Sequence, residues 1–204
     1  MRIHRRRVDP ASRRPSRGQS MVEFALVIPI FITLVVAICE FAFLFTTYLS
    51  ASFTSRDAVQ VAAEMGNSPC ADEVVLSRIE HDLTGPANSN KIQRVDIFWA
   101  DASGNVKGGA KNTWIRTGVS SCTLPDTTVV SVPYQLSSGS YPLTSRCNVV
   151  LATGCASGHT TVDTVGVTIA YQYSWVTPLP GLIGGSGTGM TIVQTNVMRM
   201  EPVK

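Results

Sequence analysis

From Phe24 to Phe45 the chain runs for 22 residues with one charge, Glu40, and one hydroxyl, Thr33. At about 1.5 Å per residue a helix of this length crosses a hydrocarbon core of about 30 Å. Lipid offers no partner to backbone N–H and C=O groups, so the segment has to satisfy them within itself as a helix. A cleaved secretory signal is excluded by length, since its apolar core is only roughly 7 to 15 residues, and no small-residue cleavage site with turn-forming flanks follows Phe45. Pro29 removes one backbone donor inside the span, a defect that membrane helices tolerate.

Seven arginines lie between Arg2 and Arg17, ahead of this segment. By the positive-inside rule they hold the N-terminus in the cytoplasm and send the rest of the chain outward. Beyond Gly18 only ten basic side chains remain against thirteen acidic ones, so the basic balance of the whole chain belongs to the arm. No basic face is left to argue for nucleic-acid binding by the main domain. As a helical nucleic-acid reader the arm fails too, because Pro10 and Pro15 interrupt it and it has no aromatic residues.

Between arm and span the chain reads Arg17-Gly18-Gln19-Ser20-Met21-Val22-Glu23-Phe24, then Ala-Leu-Val-Ile-Pro. This junction resembles that of the TadE-like pseudopilins of the tight-adherence (Tad, or Flp) pilus system. The resemblance covers about the first 65 residues and returns loosely over the last 40, in Val167 to Tyr173 and Val197 to Glu201. It implies that a prepilin peptidase cleaves between Gly18 and Gln19 and that Glu23 becomes the fifth residue of the mature chain, followed by Phe24. It also implies, as partners, pilins and other pseudopilins and an inner-membrane assembly platform. Independently of the family, a carboxylate near the end of an apolar helix needs a cation or water. A free α-amino group on Gln19, one turn from Glu23, would supply the cation; the plainer alternative is that Glu23 reaches the headgroups. Glu40, near the outer end, reads as the point where the helix leaves the bilayer, or as a contact with another membrane subunit.

The helical pattern continues without Pro or Gly from Tyr48 to Met65 and stops at Gly66-Asn67. Phe41, Phe43, Phe45, Tyr48 and Phe53 read as an interfacial aromatic belt rather than a ligand cage. A second, amphipathic helix is expected after Ser68-Pro69, with Ser68 as cap and Val75, Ile79 and Leu83 on one face, ending at Gly85-Pro86. Strands are expected at 91–100, 114–117, 127–134, 164–176 and 191–200, with a turn at Ser103-Gly104-Asn105. In the clearest of them Val165, Val167, Ile169, Tyr171, Tyr173 and Trp175 share one face. That aromatic row reads as core against the long helix rather than a sugar platform. The connection from Pro178 to Gly189 places Leu179, Leu182 and Ile183 among five glycines, a composition that suits contact with membrane or partner, or simple flexibility.

Cys39 is alone in the span, whereas Cys70, Cys122, Cys147 and Cys155 all lie outside, where disulfides form. Three connectivities exist; economy of loops favours Cys147 with Cys155 and Cys70 with Cys122. A metal site of Cys147, Cys155 and His159 is the weaker reading, for want of a C-x-x-C pair. His81 is expected on an exposed face and His159 in a solvated turn, Asp96 and Asp101 as strand-end chemistry, and no hydrolase, nucleotide or zinc-protease motif is present. The sequence thus predicts no catalytic residues, no cofactor and no metal.

The expected fold class is α+β: a long N-terminal pilin-like helix, membrane-spanning in its first half, packed on a small antiparallel β-sheet domain. Its parts are a basic cytoplasmic leader (1–18), a transmembrane and extended helix (19–66) and an extracytoplasmic α+β domain (67–204). The expected function is that of a structural minor pseudopilin, single-pass in the cell (inner) membrane, that meets the lipid bilayer and no nucleic acid. The alternative is an uncleaved membrane anchor that presents an extracytoplasmic binding domain.

Overall fold

The computed structural model describes residues 17–85, 87–148, 155, 159, 161–178, 181 and 189–200. The leader through residue 16, most of the glycine-rich connection and Glu201 lie outside the described residues.

One helix, α1 (Arg17–Met65), runs through Pro29 and far beyond the apolar run. It stops where the sequence says it should. Gly66 takes a left-handed φ of 51° and its N–H donates to the Ala62 carbonyl at 3.1 Å, ending the helix in a conformation that side chains resist. The second helix, α2 (Ala71–Asp82), starts later than its predicted cap. Ser68 and Pro69 belong to the reversal between the helices, and the N-cap position is Cys70, left-handed at φ 64°. The cap preference of Ser68 is overridden where the disulfide of Cys70 to Cys122 fixes the chain two residues further on.

Seven strands follow: β1 (Ile92–Ala100), β2 (Val106–Ile115), β3 (Ser120–Thr123), β4 (Val129–Val132), β5 (Gln135–Gly139), β6 (Thr164–Tyr173) and β7 (Met190–Arg199). Five make one antiparallel sheet in the order β5-β2-β1-β6-β7, and β3 with β4 forms a separate hairpin. The fold is therefore α+β, a long apolar-ended helix on an antiparallel sheet. Two strand expectations need correction. The expected strand at 114–117 is the end of the ten-residue β2, whose first half is hidden in sequence by Gly108 and Gly109 and by polar residues. The expected strand at 127–134 splits, with Val129–Val132 in the small hairpin and Tyr134 beyond it. In β6 the face of Val165, Val167, Ile169, Tyr171 and Tyr173 is buried as its alternation predicts.

The core lies between this face and the outer half of α1. Ala51, Ala58, Ala62 and Ala63 give α1 a shallow surface on which α2 and the sheet can close, with Val75, Leu76 and Ile79 from α2, Val95 and Ile97 from β1 and Ile192 from β7. At the membrane-distal end the buried Arg146 guanidinium donates to Asp72 at 2.6 Å and to the Tyr141 carbonyl at 3.2 Å, while Asn112 donates to Asp72 at 2.8 Å. The buried charges are thus paired and hydrogen-bonded, as such charges must be. Cys147 is bonded to Cys155, so both disulfides follow the loop-economy pairing.

On the outer face Phe98 lies across Gly166 of the neighbouring strand, where a Cβ would stand 2.3 Å from the ring. Gly166→Ala should therefore lower stability by about 1–3 kcal/mol through overpacking, and Phe98→Leu in the same chain should recover part of the loss. Thermal unfolding of the full chain in detergent tests both; an unchanged midpoint for Gly166→Ala would contradict this packing.

Candidate functional site

The inner end of α1 gathers the residues of the junction motif. Gly18 and Gln19 lie in the first turn, and a Cβ on Gly18 would meet nothing within 4 Å. The Gln19 side-chain amide donates to Glu23 Oε1 at 3.2 Å, which shows that positions 19 and 23 share one face of the helix. Phe24 is 64% exposed, as are its apolar neighbours Leu26, Val27, Ile30, Phe31 and Leu34 to similar degrees. From Gly18 to Cys39 no residue is buried by the rest of the protein. A helix this apolar on all sides, with no protein cover, is built for lipid or for another chain.

The character of α1 changes at Glu40, which is 5% exposed although it sits in the apolar run. Its Oε1 accepts from the Tyr173 hydroxyl at 2.6 Å and from the Val176 N–H at 3.1 Å, and its Oε2 accepts from the Thr177 N–H at 2.7 Å. Two consecutive backbone donors and a phenol thus close on one carboxylate. Burial first, and the neighbouring carboxylate second, push the Tyr173 hydroxyl far above its ordinary pKa, so it remains a donor at any working pH. Trp175 meets Tyr173 edge-on, with centroids 5.5 Å apart. Glu40 is therefore more than the point of emergence read from sequence: among the described residues it is the first buried position of α1, and it is held by partners within this chain.

Just above Glu40, Phe41, Leu44, Phe45 and Tyr48 of α1 and Met190 and Ile192 of β7 line an open cleft of about 270 Å³ with no polar lining. Phe41 and Phe45 stack with centroids 6.3 Å apart. Phe43 and Phe53 are also exposed, so the aromatic residues ring the helix rather than close on a ligand.

The remaining candidates resolve into structure. The sulfurs of Cys147 and Cys155 are joined to each other, which removes both thiolates from metal ligation. His159 is not the solvated turn residue expected: it stacks on Trp99 at 4.2 Å and contacts Asp163 at 2.8 Å. The signal was absent from sequence because Trp99 is sixty positions away across the sheet. His81 stands exposed beside Asp82, as its position on α2 suggests. Asp101 accepts from the N–H groups of Ser103 and Asn105 and shapes the hairpin, while Asp96 pairs with Arg94 and Thr113.

A bare apolar helix end carrying Gly18, Gln19 and Glu23 continues as the spine of a disulfide-tied sheet domain, so one helix long and apolar enough to cross a membrane is joined to an antiparallel sheet. A family model described as TadE-like protein matches residues 18–60, the helix that carries these features. No curated protein and no solved structure matches the chain.

The grip at Glu40 is directly testable. Glu40→Gln and Tyr173→Phe should each destabilise the protein, and a double-mutant cycle should show coupling of about 0.5–3 kcal/mol, as contacting groups do. Additive losses in chemical denaturation would contradict the contact.

Proposed function

We propose that this chain is a minor pseudopilin of the TadE-like kind, processed by a prepilin peptidase after Gly18 and acting structurally in assembly of a Tad/Flp-type pilus or related secretion apparatus. The observation that carries the reading is the bare stretch from Gly18 to Cys39, bearing the junction motif and left without cover by its own domain. Removal of the leader would give Gln19 a free α-amino group on the same face as Glu23, near enough to neutralise it within a helical bundle. The inner half of α1 would then pass from lipid to a bundle of similar helices from pilins or other pseudopilins. The sheet domain, carried at the outer end, would meet the other pilus proteins. This reading sets the N-terminus in the cytoplasm and the domain outside the inner membrane, with the assembly platform as the inner partner; it includes no catalysis.

An uncleaved single-pass anchor is the second reading, favoured by one observation: the sheet domain lies beyond the matched residues 18–60 and has a fold of its own. Cleavage separates the two. Intact mass and N-terminal sequencing of the protein from native membranes should give a mature chain beginning at Gln19, and the full leader in a strain without its prepilin peptidase. An intact leader in both strains would overturn the pseudopilin reading.

A further inference from the structure

The grip at Glu40 also fixes where the domain stands relative to the bilayer. From Gln19 to Glu40 the helix rises about 32 Å at 1.5 Å per residue, the thickness of a hydrocarbon core. The domain begins at Glu40 itself, with no linker between the end of the span and the first tertiary contact. The topology shows which part of the domain comes lowest. Tyr173 at the end of β6 meets Glu40, whereas Asn196 of β7 meets Ser55 three turns or more farther along α1, so β6 runs toward the membrane end and β7 away from it. The end of β6, the segment through Thr177 and the start of β7 are thus the base of the domain.

That base exposes apolar side chains beside the polar Gln172 and Thr191. Val176 is 63% exposed, Met190 is exposed at the start of β7, and the cleft lined by Phe41, Phe45, Tyr48, Met190 and Ile192 presents apolar surface. At this level the exposed Phe43 faces the side of α1 away from the stacked Phe41 and Phe45, which suits a surrounding lipid layer better than a single protein partner on one side. Lys91 is exposed just before β1, whose first residue pairs with Tyr171 near the same end, within reach of headgroup phosphates.

We propose that the base of the sheet domain, formed by Val176, Met190 and the aromatic collar of α1, is a lipid-contact surface that rests in the headgroup layer of the outer leaflet. The domain therefore stands on the bilayer in one orientation, and the Glu40 carboxylate is held at the boundary by protein donors in place of water. This rests on the single-pass reading of α1, and its test separates the two.

Full-length chains carrying Cys39→Ser and one added cysteine, Val176→Cys, Met190→Cys, Leu34→Cys or Ser103→Cys, are labelled with a small fluorophore in nanodiscs. Quenching by lipids that bear a nitroxide near the headgroup or deep in the acyl chain is then read. Ser103, in the β1–β2 turn at the opposite end of the sheet, is the reference. The expected result is shallow-lipid quenching at positions 176 and 190 several-fold above that at 103, with deep-lipid quenching at 34. Quenching at 176 and 190 no greater than at 103, with 34 still deep, overturns the lipid contact and leaves the span intact. Loss of quenching at 34 overturns the span and the contact together.

Discussion

One carboxylate divides the long helix into two halves with different solvents. From Phe24 to Cys39 α1 is apolar and none of its residues is buried; above Glu40 the helix buries alanines against a sheet and a second helix. An ionised group at such a boundary is costly unless it is fully hydrogen-bonded, and Tyr173, Val176 and Thr177 supply three donors from one stretch of chain. Much of the architecture follows. The sheet must bring the end of β6 to this level, so its free edge strand β7 starts there, and the aromatic collar closes around the same point.

The two halves serve different ends. The outer half is the spine of the domain, and its small residues let α2 and the sheet approach closely. Among the described residues the inner half contributes nothing to that core, so the roles proposed for it place no demand on the folding of the domain. The disulfide from Cys70 to Cys122 ties the start of α2 to the small hairpin, and that from Cys147 to Cys155 closes a short loop ahead of β6. A structural role needs this combination: a mobile-phase anchor that can change neighbours, and a domain that does not change shape when it does.

Much of this was legible in the sequence because its signals are local. The apolar run, the stop at Gly66, the face of β6 and the Cys147–Cys155 loop each depend on residues close in the chain or on simple periodicity, and Cys70 with Cys122 is the pair that remains once that loop is closed. What the sequence concealed depends on distant pairs. Glu40 showed only as an odd charge in an apolar run, since its partners lie more than 130 positions away. His159 gave no hint of Trp99, Ser68 looked like a better cap than Cys70, and the first half of β2 carries too many glycines and polar residues to read as a strand.

The account turns on Glu40 as the boundary post of the domain, and hydrogen exchange of the full chain in a bilayer tests it most directly. The amides of Val176 and Thr177 lie past the end of β6 and each donates to the Glu40 carboxylate, so their protection reports that contact. The account predicts slow exchange at both in the native chain and fast exchange at both in Glu40→Ala, which removes both acceptor oxygens, with β6 itself still protected. Fast exchange of Val176 and Thr177 in the native chain would contradict it.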